Sequence, residues 1–390
     1  MIRLAHIVSH PIQYFAHRYR AIARRPDVEF RVFFGSRMGL ESYFDREFGQ
    51  TFSWNMPLLE GYASEFPGGS KPATASAIER ALDAFDPAAV WLHGYGDLWT
   101  RAGWQWARRQ RRMLFLSGDT NIRKERRKPL WKRWIKPLVL RPFFRSFTGF
   151  LTVGEANEAF YRTCGVPASR FIRFPFTVDP LLFDAAAADR PTERRRRREQ
   201  WGLPLDACVA LWCGKITALK RPMDFVEALG QLRAEEGPPV WGLFAGEGAL
   251  REMVEKRCAA LGVQARFSGF LNVDDVAGAY AAADWLVHTC DAESYGLVAV
   301  EAARMGLPMI VPASMGAVGM TDAARPGVNA WVFEDGDQEG LVRHMRRMAT
   351  NGAERAAMGV ASRRIYDELS AAFERGVEQL VRTASGEGVP

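Results

Sequence analysis

Two glutamates eight residues apart, Glu293 and Glu301, carry the strongest chemical signal in this chain of 390 residues. They lie in the stretch Asp284 to Pro312, which reads as a strand (Trp285 to Thr289), a polar loop holding Glu293, a helix holding Glu301 and a second strand (Met309 to Val311). A strand, a turn, a helix and a further strand make the repeating unit of a parallel sheet. Ligands in such sheets bind beyond the carboxyl ends of the strands, which is where Glu293 falls. Buried beside a ligand, a carboxylate at Glu301 would accept hydrogen bonds from two vicinal hydroxyls of a ribose. One at Glu293 would hold sugar hydroxyls or balance developing positive charge. The first amides of the helix, from Tyr295 and Gly296 to Leu297 and Val298, lack partners within it and would face whatever occupies the loop.

Three more features fall at the ends of predicted strands. Gly214-Lys215-Ile-Thr-Ala-Leu-Lys220-Arg221 sets a glycine after a strand and cations at a helix entrance, which suits an anionic group. Gly246-Glu247-Gly248 lacks Cβ atoms where a ligand would approach the backbone. Ser268-Gly-Phe270-Leu271 is the third. Singly, each has an ordinary explanation: a strand-ending glycine is usually a turn, and Lys220 or Arg221 a solvated helix end. Together with the glutamate loop they occupy consecutive strand ends of one predicted sheet.

The elements that must position these residues alternate along the chain. Strands are expected at Leu4 to Ser9, Val28 to Phe34, Val90 to His93, Met113 to Ser117, Phe150 to Val153 and Phe171 to Phe174. Helices are expected at Tyr14 to Arg24 and Ala73 to Ala84, with 36–72 irregular. A composition break at 180–198 holds five consecutive arginines, Arg194 to Arg198. Beyond it, strands Cys208 to Cys213, Val240 to Ala245 and Gln264 to Ser268 alternate with helices Met223 to Glu235, Ala249 to Leu261 and Val273 to Ala282. Amphipathic helices at 338–348 and 354–381 close the chain. The fold class is therefore α/β, with two doubly wound Rossmann-like domains over 1–178 and 201–364, a hinge at 179–200 and a C-terminal helix and tail over 365–390.

Composition is that of a globular protein, 48% hydrophobic and 25% charged. Nothing approaches the apolar run of a membrane span, and Met1-Ile-Arg-Leu-Ala-His-Ile-Val enters a strand at once, unlike a signal peptide. Five cysteines without paired spacing argue against a disulfide framework or structural zinc, and a cytoplasmic home is expected. The formal charge of +7 is uneven: residues 101–145 hold fifteen Lys or Arg against two acids, a local +13 that leaves −6 elsewhere.

The second half resembles the retaining glycosyltransferases of glycosyltransferase family 4, whose architecture (GT-B) has two Rossmann-like domains facing across a cleft and a C-terminal helix crossing back to the first. The family's paired-glutamate motif is matched by Glu293-Ser-Tyr-Gly-Leu-Val-Ala-Val-Glu301. Its Gly-Arg-x4-Lys-Gly segment is matched by Gly214-Lys215-x4-Lys220-Arg221, with lysine for arginine at 215 and arginine for glycine at 221. The first half departs more, with Ser9-His10-Pro-Ile-Gln-Tyr14 where many members have a Gly-Gly loop. The resemblance implies a metal-independent hexosyltransferase that moves a sugar from a nucleotide-diphosphate donor to an acceptor hydroxyl with retention. Lys220, helped by Lys215 and the helix-start amides, would neutralise the leaving diphosphate. Glu301 would hold the ribose, Glu293 would position the sugar, and Gly214, Gly246, Phe270 and Leu271 would line the nucleotide. His93 matches a histidine placed near the transferred sugar, and His10 falls on the acceptor side. UDP and GDP remain open as the donor's nucleotide, and no cofactor or metal ion is expected.

The basic segment 101–145 interleaves Trp104, Trp106, Trp131 and Trp134 with arginine and lysine, a mixture suited to an anionic membrane surface or, as the ordinary alternative, to a solvated face over buried tryptophans. No nucleic-acid recognition module accompanies it and no obligate protein partner is evident. Peripheral association with the inner membrane face and a lipid-linked or surface-polysaccharide precursor as acceptor follow as expectations. Arg194 to Arg198 either add to that surface or form a solvated helix start. The competing readings are a nucleotide-sugar epimerase of the same architecture and a non-catalytic membrane-associated scaffold.

Overall fold

Runs such as Val28-Glu-Phe-Arg-Val-Phe-Phe34 become strands because branched and aromatic side chains fit a pleated surface that helices cover on both faces. The computed structural model describes all residues except 41–42, 46–49, 53–55, 235–236, 274, 292 and 388–390. In chain order the elements of the N-terminal part are β1 (Ile2–Val8), α1 (Gln13–Ala23), β2 (Val28–Phe34), a two-stranded ribbon of β3 (Tyr43–Asp45) and β4 (Gln50–Phe52), β5 (Ala63–Glu65), α2 (Ala75–Phe85), β6 (Ala89–His93), α3 (Leu98–Arg109), β7 (Met113–Ser117), α4 (Ile122–Arg126), α5 (Leu130–Phe144), β8 (Gly149–Thr152), α6 (Glu155–Thr163) and β9 (Phe171–Arg173). There follow α7 (Pro180–Ala188), α8 (Arg190–Trp201), β10 (Cys208–Cys213), α9 (Pro222–Ala234), β11 (Val240–Ala245), α10 (Arg251–Ala260), β12 (Ala265–Gly269), α11 (Val276–Ala282), β13 (Trp285–Val287), α12 (Leu297–Arg304), β14 (Met309–Pro312), β15 (Ala330–Phe333), α13 (Gln338–Thr350) and α14 (Gly352–Ala384). Two units result: Met1–Tyr43, Met56–Phe176 and Ser370–Pro390 form the first, and Phe44–Asn55 with Thr177–Leu369 the second.

Each unit is built on one parallel sheet. The first has the order β5-β2-β1-β6-β7-β8-β9 and the second β12-β11-β10-β13-β14-β15. In both, the first strand of the unit sits centrally and successive connections run outward in one direction and then the other. β1 pairs with β2 (Ile2 opposite Val28) and with β6 (Leu4 opposite Ala89). β10 pairs with β11 (Cys208 opposite Val240) and with β13 (Ala210 opposite Trp285). The helices following β1 and β6, and those following β10 and β13, therefore leave on opposite faces and open a crevice at the strand ends. In the first unit Arg18 of α1 is buried, donates to the Phe174 carbonyl at 2.9 Å and lies over the rings of Phe174 (4.5 Å), Phe176 (5.0 Å) and Phe373 (5.3 Å). That cation–π cluster holds the C-terminal part of α14 within the unit.

The stretch 179–200, expected as a hinge, is helical and clusters with the second unit. The helix expected over 223–235 spans Pro222–Ala234, and residue 235 lies outside the described residues. The arginine run is mostly neither a solvated face nor a surface patch. Arg198 is fully buried and donates to the carbonyls of Ala282 (2.8 Å), Pro204, Leu205 and Ala207 (each 2.9 Å) and to Asp284 Oδ2 (3.0 Å). Arg194 donates to the other oxygen of Asp284 at 2.8 Å, and buried Arg197 bridges Glu193 and Asp275. Side chains of Arg195 and Arg196 are 72% and 58% exposed. Helix α8 is thereby bolted to the strand that begins the glutamate loop. Removing one partner of a buried pair strands the other charge, at a cost of about 3–5 kcal/mol. Asp284→Ala should lose about that much stability in urea denaturation, whereas Arg195→Ala should change it by less than about 0.5 kcal/mol.

Candidate functional site

Lys220 and Glu293 meet although they are far apart in sequence. Lys220 ends a short 3-10 turn after β10 (Ala218–Lys220), and Glu293 stands in the loop after β13, the neighbouring strand at the switch point. The turn is tied down by Thr289, whose hydroxyl points at the carbonyl oxygens of Lys220 (2.9 Å) and Arg221 (2.8 Å) while accepting from Trp212 Nε1 (2.9 Å). Arg221, which stands where the family pattern has glycine, is left-handed (φ +49°), a conformation costing a non-glycine residue roughly 1–2 kcal/mol. The Lys220 ammonium then donates to Glu293 Oε2, and His288 Nε2 lies 3.3 Å from the same oxygen. Burial alone would raise the Glu293 pKa, but His288 and Lys220 outweigh it and hold the carboxylate well below its usual range. Burial likewise disfavours the Lys220 ammonium, and the Glu293 charge more than offsets it.

Glu301 has the opposite surroundings. It sits in the middle of α12, and Tyr280 of α11 donates to its Oε2 at 2.5 Å. Burial pushes its pKa up to about 7, with the Tyr280 hydrogen bond pulling the other way. Two carboxylates eight residues apart thus differ in charge state near neutral pH, because one is partnered by a cation and the other is fully buried with only a phenol to donate to it.

The glycines divide by what surrounds them. A Cβ at Gly246 (φ +147°) would lie 1.9 Å from the Gly214 carbonyl oxygen, so this position is glycine because the loops after β10 and β11 touch backbone to backbone. Around Gly214 itself a Cβ would meet nothing within 4 Å, which leaves room beside the strand end. Lys215, Phe270 and Leu271 are half-buried on the loops after β10 and β12. Helix α12 begins at Leu297 with Gly296 as its cap (φ +98°), so the free first amides are those from Leu297 and Val298 onward. Tyr295, expected among them, precedes the helix and is buried, with its carbonyl accepting from Ala317.

His288, which the sequence marks only as a structural histidine, joins Thr289 and Tyr280, to which the sequence assigns no role. The first two directly follow β13, a position that could have marked them; nothing local marks Tyr280. His288 Nε2, Cys290 Sγ and a Glu293 oxygen lie within 4.8 Å of one another, close enough to hold a metal ion. Lys220 already occupies that carboxylate, and burial pushes the Cys290 thiol up to about 12, so a metal would have to displace both an ammonium and a proton.

In the first unit the structure places His10 and His93 at the ends of β1 and β6, again the switch point. Ser117 Oγ lies 3.0 Å from His93 Nδ1 and accepts from Trp91 Nε1 at 2.7 Å, while Phe15 packs on the imidazole with ring centroids 4.8 Å apart. Burial, then the charges of Arg18 and His10, push the His93 pKa down to about 4, so its ring is neutral near neutral pH. His10 Nδ1 is 2.8 Å from Ser9 Oγ, and burial lowers its pKa too.

Two parallel-sheet Rossmann-like units of this kind define the GT-B glycosyltransferase fold. The structure resembles Anabaena Alr3699/HepE solved with UDP and glucose (TM-score 0.70, 15% identity, 99% of this chain and 100% of that one). It also resembles WaaG, a glycosyltransferase involved in lipopolysaccharide biosynthesis (TM-score 0.65, 18% identity, 98% and 100%). Residues 193–365 match the family Glycosyl transferases group 1, a match that lies within the second unit. A D-inositol 3-phosphate glycosyltransferase of Streptomyces griseus is 33% identical over 195 residues, 47% of this chain and 40% of the relative. The chain thus spans under half the length of that curated relative.

A carboxyl group whose pKa is about 7 in the folded chain and near 4.5 when unfolded binds its proton more tightly when folded. Its contribution to stability is full below the lower value and is lost as pH rises through the upper one. Glu301→Gln should therefore match the parent's melting temperature near pH 4.5, exceed it increasingly as pH rises from there to about 7, and keep a constant advantage above that, as thermal scans across the range will register.

Proposed function

We propose that the protein is a retaining, metal-independent hexosyltransferase that moves a sugar from a nucleoside-diphosphate sugar to an acceptor hydroxyl on a lipid-linked or surface-polysaccharide precursor. The observation that carries the reading is the Lys220–Glu293 pair at the switch point of a glycosyl transferases group 1 domain, one side chain suited to a diphosphate and the other to sugar hydroxyls. When donor enters, its diphosphate competes with Glu293 for Lys220, and the freed carboxylate turns to the sugar. Lys220, Lys215 and the amides that open α12 then stabilise the charge growing on the diphosphate as the bond to the anomeric carbon breaks. Preorganised donors of this kind are worth about 100- to 1,000-fold in rate. The acceptor oxygen takes the anomeric carbon on the face the diphosphate leaves, and the hydroxyl proton passes to the departing phosphate oxygen.

Glu301 holds the ribose hydroxyls after Tyr280 gives way, which requires an ionised carboxylate and so favours donor binding above its pKa of about 7. Gly214 provides space for the nucleotide, and Phe270 and Leu271 flank the base. His93, neutral and fixed by Ser117, offers a hydrogen bond to the sugar, with His10 on the acceptor side. Support for the donor class comes from the UDP-bound Anabaena structure of the same fold.

Lys220→Ala and Glu293→Ala should each reduce donor turnover by at least about 100-fold while the circular dichroism spectrum and cooperative unfolding persist. Near-parental turnover in either variant overturns the assignment. UDP- and GDP-sugars separate by thermal shift, since the bound nucleotide raises apparent stability. Turnover unchanged by EDTA bears on the absence of a metal requirement, and the anomeric configuration of the product, read by proton NMR, on retention. Conversion of donor to an epimer without acceptor would favour the epimerase.

A further inference from the structure

The basic segment 101–145 resolves into two parts with different fates. On α3, Trp106 is buried and donates to Asp83 at 2.7 Å, and Trp104 donates to Ser146 at 2.9 Å and packs on Phe143. Those tryptophans belong to the unit's interior. Helix α5 is built the other way round. Leu130, Trp131, Trp134, Ile135, Leu138 and Val139 are 50–74% exposed. They form two adjacent i, i+4 rows, 130-134-138 and 131-135-139, so one face of the helix is an unbroken apolar ridge turned to solvent. Its opposite side is also apolar, through buried Phe144 and half-buried Leu140 and Phe143. Beside the ridge a groove of about 460 Å³, lined in part by Trp134, Leu138 and Phe160, continues the apolar surface inward.

Charge around the ridge has one sign. Lys124, Arg126, Arg127, Lys128, Lys132, Arg133, Arg141 and Arg145 are exposed. Between residues 120 and 145 the single acid is Glu125, which is buried and neutralised by Lys128 (2.7 Å) and Lys136 (2.8 Å). Lys132 Nζ lies 5.1 Å from the ring centre of Trp131. Among the described residues no helix is long and apolar enough to cross a membrane, and α5 has 15 residues where a span takes about 20.

We propose that α5 lies flat in the interface of an anionic lipid bilayer, with Trp131, Trp134, Ile135, Leu138 and Val139 inserted among the acyl chains and the flanking cations on lipid phosphates. Tryptophan settles at the headgroup boundary, and the aliphatic ridge reaches just below it. A second copy of the chain would oppose eight exposed cations with eight more. Nucleic acid would satisfy the cations but leave a Leu/Ile/Val ridge in water. Only an anionic bilayer answers both the ridge and the charge. This surface stands independently of the reaction proposed above.

The full chain should sediment with vesicles of phosphatidylcholine mixed with phosphatidylglycerol and not with phosphatidylcholine alone, with a blue shift in tryptophan emission. Trp134→Glu combined with Leu138→Glu, both exposed and so compatible with folding, should weaken that binding by at least about tenfold with an unchanged melting temperature. Lys132→Glu combined with Arg133→Glu should weaken it most at low salt, where charge attraction is least screened. The proposal is overturned if the parent fails to sediment with anionic vesicles at low salt, or if both double variants sediment as it does. It is also overturned if light scattering finds self-association that Trp134→Glu/Leu138→Glu abolishes while vesicle binding persists.

Discussion

A half-buried carboxylate keeps its charge only with a cation beside it, and Glu293 draws its own from a different strand end. The pair exists because β10 and β13 are neighbours in the sheet although β11 and β12 intervene in the chain. Reversal of strand order at that point sends the flanking helices to opposite faces and leaves the two loops adjacent above an open crevice. Thr289 then fixes the turn that presents Lys220 by bonding its carbonyl, and Trp212 fixes Thr289. Sheet topology, turn and ion pair form one chain of cause, and a change at Trp212 or Thr289 would move Lys220 without touching it.

The two glutamates show how a fold assigns different work to the same side chain. Glu293 faces an ammonium and an imidazole and keeps its charge; Glu301 faces a phenol in an apolar helix packing and gives its charge up near pH 7. Tyr280 donates to the Glu301 carboxyl, so the group is buried with a hydrogen-bond partner and without a cation to hold its charge. The same economy appears in the first unit, where His93 is kept neutral by burial and oriented by Ser117.

Local pattern made most of this legible. Period-two runs placed Val28–Phe34, Met113–Ser117, Cys208–Cys213 and Val240–Ala245 to the residue, because buried parallel strands are continuous apolar runs between turn signals. The start of α12 was set too early because Gly296 takes a left-handed conformation and delays the first helical residue to Leu297. Gly246 was read as clearance for a ligand, whereas it clears the Gly214 carbonyl, a contact between segments more than thirty residues apart. Tyr280 and His288 matter for the carboxylates they face, Glu301 and Glu293, and such contacts between elements leave no local pattern.

The two basic runs make the limit of composition plain. Five arginines at 194–198 are the denser run of charge, yet Arg194, Arg197 and Arg198 are taken up inside the second unit. Arg198, Arg197 and Arg194 have carboxylate partners at Asp284, Asp275 and Glu193, two of them distant in sequence, and backbone carbonyls at the end of α11. Between residues 120 and 145 the single acid, Glu125, is already taken by Lys128 and Lys136. Charge density does not tell these cases apart; the presence of acids that the fold brings within reach does. An apolar ridge left in water among exposed cations is costly to an isolated chain, and that cost is what an anionic bilayer would remove.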